Sequence, residues 1–183
     1  MPQLEVFFDY ICPYCYLGLH DLKELLPNYP ALSIAWRPCE AHPRPEPRFT
    51  WGDALEWEGD LLFRIHQAGI PINQPHSPSR YSDKAIQGLL SLEDQGGNIQ
   101  RYNEAVYAAV FVHGKNIEDL DVLSECALTA GADPAVFRQV LLSETYKEQQ
   151  LELNRYAWEG NASVGGFPFE RGARHRCFAN HVG

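Results

Sequence analysis

Two cysteines near the start of the chain are the residues best placed to do chemistry. They are Cys12 and Cys15, in the stretch DYICPYCYLG at residues 9–18. A Cys-x-x-Cys pair can be a redox couple, half of a metal site, or two thiols with a structural role. The spacing alone leaves all three hypotheses open.

The elements around the pair favour the redox hypothesis. The run LEVFFDY at residues 4–10 predicts a buried strand, and SIAWRP at residues 33–38 predicts a second one. Between them, leucines at near-helical spacing predict a helix that Pro27 stops. Strand, helix and strand at this length form a βαβ unit with parallel strands. The cysteine motif therefore lies at a strand-to-helix junction.

This position gives the two cysteines different roles. Cys12 lies at the N-terminal end of the predicted helix, where unpaired N–H groups and the helix dipole lower the pKa of a thiol. Pro13 suits the first helical turn, because no N–H is needed there. Cys15 lies one turn further on the same face, close enough to close a disulfide. The redox hypothesis therefore makes Cys12 the nucleophile and Cys15 the resolving thiol.

The rest of the chain divides into a helical block and a short C-terminal part. Helical spacing extends over residues 53–68, 82–94, 101–112, 117–130 and 134–158, with Asp133 and Pro134 opening the longest helix. Two strand-like pieces, around Phe169 and over residues 174–178, are expected to return to the first sheet. We predict an α/β fold with an N-terminal βαβ unit at 1–40, a helical insertion at 41–159 and C-terminal strands at 160–183.

Four motifs resemble the DsbA-like family of thioredoxin-fold thiol oxidoreductases, and in particular its cytoplasmic, FrnE-like branch. They are FDYICPYCYLG, WRPCEAHP, NEAVYAAVFVHGKNIEDLDVL and GGFPF. The resemblance implies a thioredoxin-like fold, βαβ…ββ, with an inserted helical block. It also implies that Cys12 and Cys15 exchange disulfides with protein thiols or disulfides, with no dissociable cofactor and no metal. The Pro-Tyr dipeptide, which glutaredoxins also carry, makes glutathione a candidate co-substrate.

The same resemblance implies a substrate groove. Pro168 would be a cis proline facing the cysteine pair, and Phe167, Pro13 and Tyr14 would line the groove with it. Two features depart from the family pattern. The family usually has a smaller β-branched residue where this chain has Phe167, and we expect the closing C-terminal helix to be missing, because the chain ends at Gly183.

Two alternatives remain open. Glutathione-dependent isomerases and kappa-type transferases share this architecture, but the resemblance implies a serine in place of the first cysteine, so Cys12 argues against them. A zinc-stabilised binding module could use Cys12, Cys15, Cys39 and His42 as ligands. A full helix and strand separate the two halves of that set, rather than the short knuckle of a typical zinc site.

Composition narrows the classes of partner. An apolar content of 45% in 183 residues can form a full core, and the net charge of -9 disfavours nucleic acid and acidic membranes as partners. No targeting segment is recognisable, and no apolar run approaches the ~20 residues that span a bilayer. Five cysteines, an odd number, do not indicate a secreted disulfide framework. We expect a soluble cytoplasmic protein, whose oligomeric state the sequence does not indicate.

Four further residues need a separate interpretation. Asp9 could accept or relay a proton near Cys15, or could be a partly exposed turn residue. Cys39 is either a small buried apolar side chain or a third redox thiol. Cys126 is expected to pack in a helical core, and Cys177 has no evident role.

Overall fold

The βαβ unit forms as the sequence predicts. The computed structural model describes residues 3–45, 59–72, 81–161, 163–164, 167–168 and 179–182. Strand β1, Gln3–Phe8, leads into helix α1, Pro13–Leu25, a single 3₁₀ turn at Leu26–Asn28 and strand β2, Ser33–Pro38. The strands pair in parallel from Gln3 opposite Ser33 to Phe8 opposite Pro38. Strand β1 ends two residues earlier than predicted, which leaves Asp9 and Tyr10 in the loop before the motif.

The predicted helical block is confirmed within the described residues. It contains α2 (Gly59–Gln67), α3 (Asp83–Asp94), α4 (Ile99–Tyr107), α5 (Leu120–Thr129), α6 (Pro134–Ser143) and α7 (Lys147–Tyr156). Helix α4 continues into a π-helical turn at Ala108–Val112, and α7 into another at Ala157–Asn161.

The prediction of one helix over residues 134–158 is wrong, because two helices occupy that range. Asp133 caps α6 as expected, since its carboxylate accepts the N–H groups of Ala135 and Val136 at 2.8 and 3.1 Å. Glu144 then takes up the left-handed conformation, with φ of 54°, and ends α6. The Lys84 ammonium stabilises this end, because it donates to the Leu141 carbonyl at 3.0 Å. No glycine or proline marks the break in the sequence.

One C-terminal strand joins the first sheet, and two shorter strands pair with each other. Strand β5, Ala179–Val182, pairs antiparallel with β1, so the main sheet has the order β2-β1-β5. Strands β3 (Ser163–Val164) and β4 (Phe167–Pro168) pair with each other in a separate two-stranded sheet. Residues 169–178, which include both predicted pieces, lie outside the described residues. Such short strands carry too little alternation to reveal their partner, so the register depends on the tertiary structure.

Side chains of β1 alternate between two packed faces. Phe8 faces α1 and α4, with its ring 6.4 Å from that of Tyr107. Phe7 points to the opposite face, where it packs against Ala157 and stacks on Tyr156 of α7 at 5.8 Å. The carboxyl end of β1, which carries the cysteine motif, therefore lies between packed layers.

Candidate redox site

Cys12 is the N-cap of α1. Its backbone is extended, with φ of −93° and ψ of 118°, and Pro13 takes the first helical position. The carbonyl of Cys12 accepts the first helical hydrogen bond from Tyr16 at 3.1 Å. Its sulfur accepts the N–H of Cys15 at 3.4 Å. The sulfur thus lies against the unpaired N–H groups of a helix start, where negative charge is stabilised.

Cys15 lies one turn further and is more deeply buried. Its exposed fraction is 1%, against 7% for Cys12, so Cys12 is the more accessible of the two. The sulfur of Cys15 accepts the backbone N–H of Asp9 at 3.4 Å. This geometry assigns the outer position to Cys12 and the inner position to Cys15.

Asp9 is buried directly behind the pair, so its interpretation as a partly exposed turn residue is wrong. Only 1% of its surface is exposed. Its two carboxylate oxygens accept the N–H of Ile11 at 3.2 Å and the N–H of Ala41 at 2.6 Å. Burial raises the pKa of Asp9 to about 6, although the neighbouring Ser82 hydroxyl and these two N–H groups act to lower it. A negative charge on Cys12 raises the pKa further, so Asp9 is within electrostatic reach of the Cys12 sulfur.

Helix α4 and the turn that follows it pack a wall of aromatic and polar side chains against the loop that carries the cysteines. In the sequence these residues stood out only as part of a motif that resembles the family. The Tyr107 hydroxyl donates to the carbonyl of Asp9 at 3.1 Å, and the Tyr10 hydroxyl donates to the Asn103 carboxamide oxygen at 2.6 Å. Tyr16 stacks on Phe111 with ring centroids 4.9 Å apart. Asn103, Tyr107 and Phe111 follow one another at intervals of four, a helical stripe that could have identified this wall in advance. These contacts fix the loop between β1 and α1.

Glu40 is a second buried acid near the site, and the sequence analysis missed it. Its exposed fraction is 3%. One of its carboxylate oxygens, Oε2, accepts the side-chain amides of Gln150 at 2.5 Å and Asn154 at 2.9 Å. Burial raises the pKa of Glu40 to about 7, the Asn154 hydrogen bond lowers it, and the charge of Asp9 raises it. The only sequence feature that could have indicated this acid is its position directly after the second strand, between Cys39 and Ala41.

A small apolar pocket adjoins the inner thiol. Strands β1 and β2 and helices α1 and α4 line it, with the residues Val6, Phe8, Cys15, Leu19, Leu22, Trp36 and Tyr107. Trp36 shares this pocket with Cys15, so its indole is positioned to report changes at the thiol.

The predicted groove residues fall in two places. Pro13 is buried in the first turn of α1, and Tyr14 is half-buried against the core. Phe167 and Pro168 form β4, whose partner is β3. That Pro168 is a cis proline and that it faces Cys12 both stay predictions.

The other thiols are in structural positions. The N–H of Cys39 donates to the Phe8 carbonyl at 2.8 Å, and its side chain packs beside Phe7 and Ala157. Burial raises the pKa of the Cys39 thiol well above its usual range, which disfavours a third redox thiol. Cys126 is buried in the helical core as predicted, and burial raises its pKa to about 11. Cys177 lies outside the described residues.

Two negative findings hold for the part of the chain that the structure describes. The described residues contain no group of three or more His, Cys, Asp or Glu side chains placed to hold a metal ion. Cys12, Cys15, Cys39 and His42 are all among the residues searched. No helix in the described ranges combines the length and the apolar character needed to cross a membrane.

Comparison with known proteins gives one family match. The model of the DSBA-like thioredoxin domain family matches residues 3–163. The uncharacterized protein YwbO of Bacillus subtilis (strain 168) is 29% identical over 162 residues, which cover 86% of this chain and 80% of YwbO.

Two solved structures illustrate the range of proteins with this fold. The cytosolic disulfide reductase DsbM of Pseudomonas aeruginosa superposes with a TM-score of 0.69 at 18% identity, covering 98% of this chain and 88% of DsbM. DsbM has also been solved with GSH. A 2-hydroxychromene-2-carboxylate isomerase superposes with a TM-score of 0.69 at 22% identity, covering 91% of this chain and 83% of the isomerase.

Proposed function

Because this chain belongs to the DSBA-like thioredoxin domain family, we propose that it is a thiol–disulfide oxidoreductase with Cys12 and Cys15 as its redox pair. One observation carries the proposal. The sulfur of Cys12 lies at the start of α1 and accepts the N–H of Cys15, one turn on, at 3.4 Å. A helix start favours a thiolate, and the spacing of one turn suits a disulfide.

The exchange takes place in two balanced steps. The thiolate of Cys12 attacks a substrate disulfide RS–SR′, which forms a Cys12–SR mixed disulfide and releases R′S⁻. The thiol of Cys15 then loses its proton, and its thiolate attacks the sulfur of Cys12. This forms the Cys12–Cys15 disulfide and releases RS⁻. The substrate is reduced to two thiols, the protein dithiol is oxidised to a disulfide, and the reverse sequence oxidises a substrate dithiol.

Asp9 is the group we assign to the proton of Cys15. Its backbone N–H contacts the sulfur of Cys15 at 3.4 Å, and its buried carboxylate has a pKa of about 6. A carboxylate with that pKa is charged at neutral pH yet accepts a proton more readily than an exposed aspartate. In the second step Asp9 takes the proton from Cys15, and the departing thiolate RS⁻ or the solvent removes it again.

The partners we propose are protein thiols or disulfides and glutathione. The likeness to DsbM, a disulfide reductase solved with GSH, supports glutathione as an exchange partner, as does the Pro-Tyr dipeptide between the cysteines. We propose that the protein belongs to the FrnE-like branch because of the motifs FDYICPYCYLG, WRPCEAHP, NEAVYAAVFVHGKNIEDLDVL and GGFPF. We also propose that it is cytoplasmic, which the likeness to the cytosolic reductase DsbM supports. Pro13, Tyr14, Phe167 and Pro168 are the proposed walls of the substrate groove.

A second candidate is a glutathione-dependent isomerase, which the fold of 2-hydroxychromene-2-carboxylate isomerase favours. Such an enzyme would bind glutathione without forming a covalent bond to it. The presence of both Cys12 and Cys15 argues for disulfide exchange instead.

A redox titration tests the proposed function. The protein is equilibrated in glutathione buffers of graded ratio, quenched with an alkylating reagent and mapped by peptide mass spectrometry. We expect a reversible Cys12–Cys15 disulfide that follows the buffer, with the buried Cys126 alkylated only after unfolding. Cysteines 12 and 15 that stay reduced at every ratio would contradict the proposal and favour the isomerase.

A further inference from the structure

The segment that follows β2 is held by three successive backbone N–H groups, each on a different part of the molecule. Cys39 donates to the Phe8 carbonyl of β1 at 2.8 Å, and Glu40 donates to the Asn154 carboxamide oxygen of α7 at 2.8 Å. Ala41 donates to the Asp9 carboxylate at 2.6 Å. Because Glu40 directly precedes Ala41, its attachment to α7 fixes where the Ala41 N–H points.

Helix α7 holds Glu40 through two buried amides. Asn154 bonds both the backbone N–H and the carboxylate of Glu40, and Gln150, one turn earlier, bonds the same carboxylate oxygen. The exposed fractions of Gln150 and Asn154 are 2% and 8%. Burying two side-chain amides on one helix is costly unless they are hydrogen-bonded, and here both amides form hydrogen bonds with Glu40.

The carboxylate of Glu40 is only partly satisfied. Its second oxygen, Oε1, is buried and has no hydrogen-bond partner among the described residues. A buried oxygen in this condition penalises the charged form of the acid. The structure thus keeps an incompletely solvated carboxyl next to the redox site.

Three charged groups act on Glu40. Asp9, before α1, and Asp83, of α3, disfavour its negative charge, and Arg44 favours it. Arg44 is shared with other acids, since its guanidinium pairs with Asp83 at 3.5 Å and with Glu118 at 3.0 Å. Asp9 and Glu40 are therefore two acids in one buried environment, where a charge on either one opposes a charge on the other.

We propose that Glu40 is a positioning residue of the redox site, held by Gln150 and Asn154 so that it aims the Ala41 N–H at Asp9 and controls how readily Asp9 takes a proton. Its role in disulfide exchange rests on the proposed function, but its coupling to Asp9 does not. When Cys15 transfers its proton to Asp9, the charge of Asp9 disappears and its opposition to a charge on Glu40 disappears with it.

Carboxyl-carbon NMR of the reduced full-length protein tests the coupling without any activity assay. Aspartate and glutamate are ¹³C-labelled, and Asp9→Asn and Glu40→Gln assign the two resonances. In Asp9→Asn, which removes a charge that opposes the ionisation of Glu40, we expect the titration midpoint of Glu40 to fall. Glu152→Gln is the matched control, because Glu152 lies on the same helix with its side chain 70% exposed. It should leave that midpoint unchanged.

A second variant tests whether Asn154 of α7 holds Glu40 in place. Asn154→Ala keeps the charge of Glu40 but removes a donor to its carboxylate, so the midpoint of Glu40 should rise. Asn154→Ala also releases the Glu40 backbone, so the Ala41 N–H should bond Asp9 less well and the midpoint of Asp9 should rise. The pH profile of exchange with oxidised glutathione should shift in the same direction. An unchanged Glu40 midpoint in Asp9→Asn, or unchanged Asp9 and Glu40 midpoints in Asn154→Ala, would overturn the proposal. Shifted midpoints in a protein that exchanges no disulfide would support the coupling and contradict only the oxidoreductase function.

Discussion

The backbone N–H of Asp9 donates a hydrogen bond to the sulfur of Cys15 at 3.4 Å. This contact ties the loop after β1 to the inner thiol, and it places a buried acid beside the residue that loses a proton in the proposed exchange. The sequence around Asp9 is compatible with either a proton relay or a partly exposed turn residue. Its burial removes the second interpretation and makes its protonation a measurable part of the mechanism.

Replacing Asp9 with asparagine should slow the second step of exchange. The variant cannot accept the proton of Cys15, and loss of a positioned base costs on the order of 10²-fold in rate. In the wild type, release of glutathione from Cys12 should speed up as the pH rises through about 6, where the Asp9 carboxylate forms. Stopped-flow measurement, with Trp36 fluorescence as the signal, should show that rise in the wild type and not in Asp9→Asn. The same rise in both proteins would exclude Asp9 as the base.

Asp9 should also make the folded protein less stable as the pH rises. Its pKa is about 6 in the fold, against an ordinary value of 3.8, so the fold binds the proton more tightly than the unfolded chain. The stability that this provides is fully present below pH 3.8 and is lost as the pH rises through about 6. The loss is at most about 3 kcal/mol, at 1.36 kcal/mol for each pH unit of difference.

Urea unfolding of the reduced protein between pH 4 and pH 7 measures this effect. Asp9→Asn should have a flatter dependence of the unfolding free energy on pH than the wild type, whatever its stability at pH 4. Parallel curves for the two proteins would show that Asp9 titrates normally in the fold.

The redox pair should be a better oxidant than thioredoxin. The N–H of Cys15 and the start of α1 stabilise the thiolate of Cys12, and stabilising the reduced form raises the reduction potential. With thioredoxin near −270 mV, glutaredoxins at about −200 to −230 mV and DsbA near −120 mV, we expect roughly −230 to −120 mV. Equilibration with glutathione at pH 7 measures the potential. A value at or below that of thioredoxin would show that the helix start does little for Cys12.

Replacing Pro168 with alanine should disturb substrate exchange far more than folding. The substitution adds an N–H to β4, beside the proposed groove, where proline offers none. We expect slower exchange with a peptide disulfide and a changed lifetime of the mixed disulfide. Pro134→Ala, at the first position of α6, is the matched control and should leave both quantities unchanged. Unaltered kinetics in Pro168→Ala would place the groove elsewhere.

The βαβ unit and the start of α1 were predictable because their signals are local. Pro13, the leucine spacing and Pro27 together define a helix with Cys12 at its beginning, and two short apolar runs define the strands. No such local signal marks Glu144. This residue is not a glycine, yet it adopts the left-handed conformation and separates two helices, whereas the hydrophobic periodicity predicts one continuous helix.

The polar surroundings of the cysteines could not be predicted, because they join distant parts of the chain. Glu40 meets Gln150 across 110 positions, and Asp9 meets Ala41 across 32. Neither contact leaves a periodic pattern, and both depend on how α7 and the end of β2 pack. From the sequence, Asp9 could therefore be either a proton relay or a turn residue, and Glu40 gave no functional signal.

Trapping of mixed disulfides with oxidised glutathione tests the central claim most directly. The Cys12→Ser and Cys15→Ser variants are incubated with oxidised glutathione and analysed by intact mass and peptide mapping. In Cys15→Ser the Cys12 thiolate still attacks but nothing resolves the product, so a glutathione adduct on Cys12 should accumulate. In Cys12→Ser the attacking thiolate is absent, and the buried Cys15 should form almost no glutathione adduct. Equal adducts in the two variants, or an adduct in Cys12→Ser alone, would contradict the assignment of Cys12 as nucleophile and Cys15 as resolving thiol.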